Sequence, residues 1–280
     1  MIDENKLNKN LLDKFLKLKE IIINSESAAV AYSGGVDSTL LSFLSHNILA
    51  QKSLIITVNS EFISECEFNK AKFIAEKYGF NYKIIDLSVF NNLKIIENNP
   101  KRCKFCKETV FKEIIALAKE DNIKNIFDGS NINDLEDYRP GFEAIKELQI
   151  RSPFIEANIS KSEIRGISGA FDIPNWNKPA LACLASRIPY NTVITLESLK
   201  KVEKAEEYLN NLGYYGCRVR HHDLIARIVL ANKDIEKFIF HHKDIVDKKL
   251  KEIGYTYVCI DLKGYKTGSL NALIDIELRV

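Results

Sequence analysis

The residues best suited to chemistry are Ser33-Gly34-Gly35-Val36-Asp37-Ser38, between a short apolar run, Ala28 to Tyr32, and a segment of helical character. Glycine lets the backbone turn sharply and approach a ligand closely. The unpaired N–H groups at the start of the following helix face outward, with the positive end of the helix dipole behind them. The hydroxyls of Ser33 and Ser38 add donors. Together they describe a cradle for a polyphosphate anion at the carboxyl edge of a parallel sheet, where such folds bind ligands. The loop lacks the lysine of the Walker A pattern and does not match the dinucleotide GxGxxG pattern. An ordinary glycine turn is the competing reading, and the full six-residue pattern in a strand–loop–helix context speaks against it.

Cys103-Lys-Phe-Cys106 is a second candidate. Six cysteines in a chain of 280 residues with no secretory signal read as thiols or metal ligands rather than a disulfide framework. For the CxxC pair, a structural zinc site, a redox pair and unrelated buried thiols all compete with an iron–sulfur site. Zinc asks for a fourth protein ligand, and His221, His222, His241 and His242 all lie in the C-terminal part. Cys66, Cys217 and Cys259 fall within predicted helix or strand and are expected in the core. Arg218 and Arg220 stand two apart in a predicted strand, so both point to one face and form a bidentate anion site, or else a solvated basic face. Glu206, one helical turn after Glu203, reaches the same site or is an exposed helix carboxylate.

The elements that position these residues follow from periodicity. Apolar spacing predicts an amphipathic helix over 8–24, and helices over 37–50, 65–78 (ended by Gly79) and 106–120. Strands are predicted at 28–32, 54–58, 82–86 and 124–128, with a fifth over 149–154. Short apolar strands alternating with helices indicate an α/β domain whose parallel sheet is covered on both faces. Ser160 and Glu163 form a capping box for a further helix. After Pro189 a helix over 195–210 precedes a hairpin-like pair, 217–221 and 224–230, then a polar helical stretch, 233–253, and strands at 255–262 and 272–278. This is the pattern of a smaller α+β domain, with the boundary placed between residues 1–185 and 186–280.

SGGVDS resembles the pyrophosphate loop of the ATP-pyrophosphatase superfamily (the PP-loop), which includes GMP synthetase, NAD synthetase and tRNA thiolation enzymes. Gly129 to Gly141, Arg151-Ser-Pro153, Lys178 to Pro189 and Arg218-Val-Arg220 narrow the resemblance to the LarE family, from the loop to about residue 230. The resemblance implies ATP and Mg²⁺, with Ser33, Gly34, Gly35, Val36, Asp37 and Ser38 holding pyrophosphate, and Gly129 and Asn131 joining them. Asp37 is the nearest carboxylate for the metal or its waters, or a helix cap. The implied reaction adenylates a carboxylate of a pyridinium dicarboxylate mononucleotide and converts it to a thiocarboxylate, a step toward a nickel-pincer nucleotide. Cys183 matches the family's sulfur-bearing cysteine, beside Ser186 and Arg187, which are suited to substrate phosphate or carboxylate. Arg218, Arg220 and Glu206 complete the implied catalytic set. Val229 departs from the family pattern, which tends to carry an acid there.

Sacrificial members of the family surrender one cysteine sulfur and are left with dehydroalanine. Here Cys103 and Cys106 with Cys183 offer three thiolates, and a [4Fe–4S] cluster with one iron open to an extra sulfide is the expected route of sulfur delivery, with sacrifice of Cys183 as the alternative. A tRNA thiolase is the alternative enzyme, and a non-catalytic nucleotide- or cluster-binding module is the alternative class. The formal net charge is +2, from 40 basic and 38 acidic residues, which disfavours nucleic acid as the partner. Apolar residues at 46% and charged residues at 28% describe a folded domain. No apolar run reaches the ~18 residues of a membrane span, and a cytoplasmic protein is expected. A small nucleotide substrate, a separate sulfur donor and a homo-oligomer are the expected partners.

Overall fold

A computed structural model describes residues 4–136, 140–179 and 182–265. The chain divides into two compact units, Met1–Val89 with Cys103–Leu181, and Phe90–Arg102 with Ala182–Val280. The sequence suggests a single cut after residue 185; the structure instead divides the chain after residue 181 and gives residues 90–102 to the second unit.

In the first unit, α1 (Lys9–Ile23) starts at Asn8, whose side chain accepts the Leu11 N–H, and turns Phe15, Leu18 and Ile22 inward. Then come β1 (Ala28–Ala31), α2 (Val36–Leu49), β2 (Ser53–Asn59), α3 (Glu65–Tyr78) and β3 (Tyr82–Asp86). Gly79 ends α3 in the left-handed conformation that a C-terminal glycine adopts without strain. After α4 (Leu93–Ile96), which belongs to the second unit, the first unit continues with α5 (Arg102–Glu120), whose Arg102 also lies in the second unit. It ends with β4 (Asn125–Phe127), α6 (Gly141–Glu147), α7 (Pro153–Glu156) and α8 (Lys161–Ala170).

The four strands are parallel in the order β3-β2-β1-β4. Successive residues alternate between two cores, as a pleated strand requires. Val30 and Ile55 pack with apolar residues of α1, α2, α3 and α8, whereas Ala29, Leu54 and Ile56 pack with Phe111, Ile114 and Ala118 of α5. The sheet is therefore covered on both faces, and its strands read as continuous apolar runs for that reason.

The expected fifth strand over 149–154 is a single parallel bridge, Phe127 to Arg151. Arg151 donates to Ile126 O at 2.9 Å and accepts from Asp128 N at 2.9 Å. Pro153 then takes the first position of α7, where its missing N–H costs nothing, and the strand cannot continue.

In the second unit, a 3₁₀ turn over Leu184–Arg187 leads to α9 (Leu196–Asn211), capped reciprocally by Thr195 and Ser198. Next come β5 (Arg218–His222), β6 (Ile225–Val229), α10 (Asn232–His241), α11 (Lys243–Ile253) and β7 (Tyr257–Ile260). The stretch predicted as one helix over 233–253 breaks at His242. β5 and β6 are an antiparallel hairpin and β7 adds parallel to β6. Val219, Ala226 and Ile228 pack with Ala205 and Leu209 of α9, Phe238 of α10, and Val246 and Leu250 of α11. The strand predicted over 272–278 lies outside the described residues. No described helix is long and apolar enough to cross a membrane.

Candidate functional site

The phosphate loop leaves β1 and enters α2. Gly34 has φ of +70°, and a Cβ there would stand 2.7 Å from Ala71 Cβ, so both conformation and space demand glycine. Gly35 stands at the N-cap with no side-chain cap, leaving the first-turn amides of α2 without that partner. Ser33 N donates to Ser38 Oγ at 3.2 Å, and the two hydroxyls are 3.1 Å apart. The loop's carbonyls are held from behind. Asn175 Nδ2 donates to Gly34 O at 3.0 Å and to Thr39 Oγ1 at 2.9 Å, and Thr39 Oγ1 donates to Gly35 O at 2.7 Å. Lys178 Nζ donates to Gly34 O at 3.3 Å and pairs with Glu67. With the carbonyls engaged and the amides uncapped, the loop fits a polyphosphate.

Asp37 does not cap the helix. Its Oδ2 accepts from Lys161 Nζ, while its Oδ1 is buried with no hydrogen-bond partner. Burial raises the carboxyl's pKa against the opposing pull of Lys161. An anionic oxygen lacking a donor, beside a phosphate cradle, fits a divalent cation. Gly129 passes close over this turn: a Cβ there would meet Ser38 N at 3.1 Å. Buried Asn131 is anchored locally, its N–H donating to Asp134 Oδ2 at 2.9 Å and its Oδ1 accepting from Asn133 N at 3.1 Å. Asn133 Oδ1 in turn accepts the Lys161 N–H at 2.9 Å. A chain of bonds thus runs from Asn131 through Asn133 and Lys161 to Asp37. Lys161, Asn175 and Glu67 were not legible as site residues; the capping box at Ser160 was the only signal near Lys161.

In the second unit two of the expected catalytic residues, Arg187 and Glu206, pair with each other. Arg187 Nε and Nη2 donate to Glu206 Oε1 and Oε2 at 2.8 and 2.9 Å, and both residues are buried. The exposed-carboxylate reading of Glu206 is therefore wrong: it also accepts the Val219 N–H at 2.8 Å. Arg187 Nη1 donates to Ala182 O at 2.7 Å and to Cys183 O at 2.9 Å. The pair pins the Cys183 turn to α9 and β5. Removing one member of such a pair typically costs about 3–5 kcal/mol. Cys183 itself is exposed at the head of the 3₁₀ turn, and Ser186 Oγ donates to its carbonyl at 2.8 Å.

Arg218 and Arg220 share one face of β5, with Val219 and His221 buried on the other, as their spacing predicts. Arg227 of β6 is the register partner of Arg220, adding a third guanidinium to that face. Arg218 Nη1 bonds Cys217 O at 2.9 Å, Arg220 Nη1 bonds Ser186 O at 3.4 Å, and Arg227 pairs with Asp261 at 3.2 Å. Burial first, and neighbouring guanidiniums next, lower the pKa of Arg218 and Arg220. Crowded, partly desolvated cations of this kind favour an anionic ligand. Val229 lies directly opposite Arg218.

Cys103 lies in the first turn of α5 and Cys106 three residues on, both partly buried. Among the described residues, no group of three or more Cys, His, Asp or Glu side chains is placed to hold a metal ion. Cys66 and Cys259 are exposed rather than in the core. Cys66 is on the charged first turn of α3, ahead of its buried residues Ala71, Ile74 and Ala75, and Cys259 is the register partner of Arg227. Cys217 is buried as expected, and burial, aided by Glu206, pushes its thiol up to about 12.

Comparison with known proteins gives two kinds of match. A family model described as NAD synthase matches residues 9–125. Over 247 residues the chain is 34% identical to pyridinium-3,5-bisthiocarboxylic acid mononucleotide synthase of Lactiplantibacillus plantarum, covering 88% of this chain and 89% of that protein. It is 37% identical over 268 residues to an uncharacterised protein of Synechocystis (94% of this chain, 99% of the relative). It is also 39% identical over 263 residues to an uncharacterised protein of Methanocaldococcus jannaschii (94% and 96%).

Proposed function

This chain belongs to the LarE family of PP-loop, ATP-dependent sulfur-transferring enzymes, and from that membership we propose that it makes a pyridinium thiocarboxylate mononucleotide for nickel-pincer cofactor synthesis. The observation that carries the reading is the Ser33–Ser38 loop, whose Gly34 and Gly35 carbonyls are engaged and whose helix start carries no side-chain cap, as a phosphate cradle requires. Ser33, Gly34, Gly35, Val36, Asp37 and Ser38 hold the β and γ phosphates of ATP, with Gly129 and Asn131 shaping the adjacent turn. Asp37, whose Oδ1 has no hydrogen-bond partner, would hold Mg²⁺, which would neutralise charge on the phosphates. The substrate carboxylate attacks the α phosphorus, giving an acyl adenylate and pyrophosphate. AMP then replaces a poor leaving group.

Arg218 and Arg220 take the substrate's phosphate, a fit supported by their shared face and partial burial. Cys183, exposed and fixed through Arg187 and Glu206, attacks the acyl carbon and expels AMP. Loss of the Cys183 Cα proton with cleavage of its Cβ–Sγ bond releases the thiocarboxylate and leaves dehydroalanine. We propose that catalysis takes place in the cytoplasm, in a homo-oligomer. The test separates the half-reactions. Cys183→Ala is expected to release pyrophosphate from ATP and substrate yet to form no thiocarboxylate; a variant that still forms it excludes Cys183 as donor.

A second reading of the sulfur source rests on Cys103 and Cys106 sharing one helical turn. With Cys183 they would be the three thiolates of a [4Fe–4S] cluster fed by a separate sulfur donor. Among the described residues no such group of side chains is assembled. Iron and acid-labile sulfide in anaerobically purified protein, both lost in Cys106→Ala, are the expected result under this reading. Iron-free protein that still transfers sulfur rules it out.

A further inference from the structure

Residues 96–102 are tied to the segment that carries Cys183 through Ile96, Asn98 and Arg102. Asn98 is fully buried with φ of +57°, in the left-handed region that asparagine tolerates better than other non-glycine residues. Its Nδ2 donates to Pro189 O at 2.7 Å, Thr192 O at 3.1 Å and Ile188 O at 3.3 Å. Its main-chain carbonyl accepts from Asn191 N at 2.9 Å, and Ile96 O accepts from Ile194 N at 2.8 Å. Asn98 Oδ1 accepts from Arg102 Nη1, which also donates to Ala185 O at 3.0 Å. The Arg102 side chain is buried against Tyr190, 5.8 Å from its ring centroid. From the other side Arg187 takes Ala182 O and Cys183 O. The carbonyls of residues 182, 183, 185, 188, 189 and 192 are thus held by three side chains.

A buried charge and a left-handed asparagine are expensive ways to fill space. A loop that exposes a thiol is ordinarily mobile, and this one is held on both sides of the sulfur. We infer that Asn98 and Arg102 are positioning residues for sulfur transfer: they fix the backbone of residues 185–192 so that the Cys183 sulfur meets the acyl adenylate in reactive geometry. The inference rests on the reading of Cys183 as the sulfur donor.

The test uses the full chain and three variants. Asn98→Gly keeps the left-handed backbone and the main-chain bond to Asn191 while removing the side-chain bonds. Arg102→Met removes the donors at similar length, and Arg102→Lys returns a charged donor. Pyrophosphate release and thiocarboxylate formation are measured separately at saturating substrate, with hydrogen exchange of residues 183–192. Asn98→Gly and Arg102→Met are expected to release pyrophosphate near the parent's rate but to form thiocarboxylate about 100-fold more slowly, the scale of a 1 Å misplacement. Exchange should quicken in 183–192 alone, and Arg102→Lys should recover part of the transfer rate. If Arg102→Met does not fold, Asn98→Gly decides. Transfer at the parent's rate in Asn98→Gly, or a parallel fall in both half-reactions, overturns the inference. A parent whose transfer survives Cys183→Ala instead sinks the donor reading beneath it, so the two failures are distinct.

Discussion

At Gly34 two independent constraints meet, a positive φ and a missing 2.7 Å of room beside Ala71. Gly34→Ala therefore carries the strain of a left-handed residue, of order 1–2 kcal/mol, and must also push α3 from the loop. We expect pyrophosphate release to fall far more than overall stability, measured by turnover and by thermal unfolding; an alanine variant with parental turnover contradicts the cradle assigned to this loop. The glycines were legible because their chemistry is written in six consecutive residues. Lys161 was not, because its partner Asp37 is 124 positions away and no local pattern records that pairing. Arg187 and Glu206 were singled out by the sequence, but their mutual pairing was not legible in it.

Elements set where these residues stand, and α8 is a case in which sequence and structure agree in detail. The capping box is present on both sides: Ser160 Oγ accepts the Glu163 N–H and Glu163 Oε2 accepts the Ser160 N–H at 2.8 Å. Burial pushes the Glu163 carboxyl up, but Lys14 and the Ser160 N–H and hydroxyl outweigh it and hold the pKa below the ordinary glutamate value. A carboxylate depressed in the folded state stabilises above its unfolded pKa, and that contribution is lost as pH falls through the folded value. Glu163→Gln is accordingly expected to cost about 1 kcal/mol at neutral pH, with the gap to the parent closing below about pH 4. Thermal denaturation across that range checks it, and a gap independent of pH contradicts the charged cap. The elements that sequence missed failed for local reasons. Pro153 turned an expected strand into a helix start, and the period-two pattern of β7 put Cys259 on the face shared with Arg227 rather than in the core.

For the molecule as a whole, the α/β pattern of the first unit was readable because its buried strands are continuous apolar runs. The transfer of residues 90–102 to the second unit was not readable. It depends on Asn98 and Arg102 finding carbonyls some 90 positions later, as in the Asn98–Ile188 bond across 90 residues. A net charge of +2 and the match to a mononucleotide synthase across 88% of the chain both point to a small substrate rather than RNA. The most direct measurement is mass spectrometry of the products formed from ATP, Mg²⁺ and the pyridinium dicarboxylate mononucleotide. The account predicts AMP and pyrophosphate in step with a nucleotide in which one carboxylate oxygen has become sulfur. Adenylation with no sulfur in the product, or sulfur delivered to tRNA instead, would contradict it.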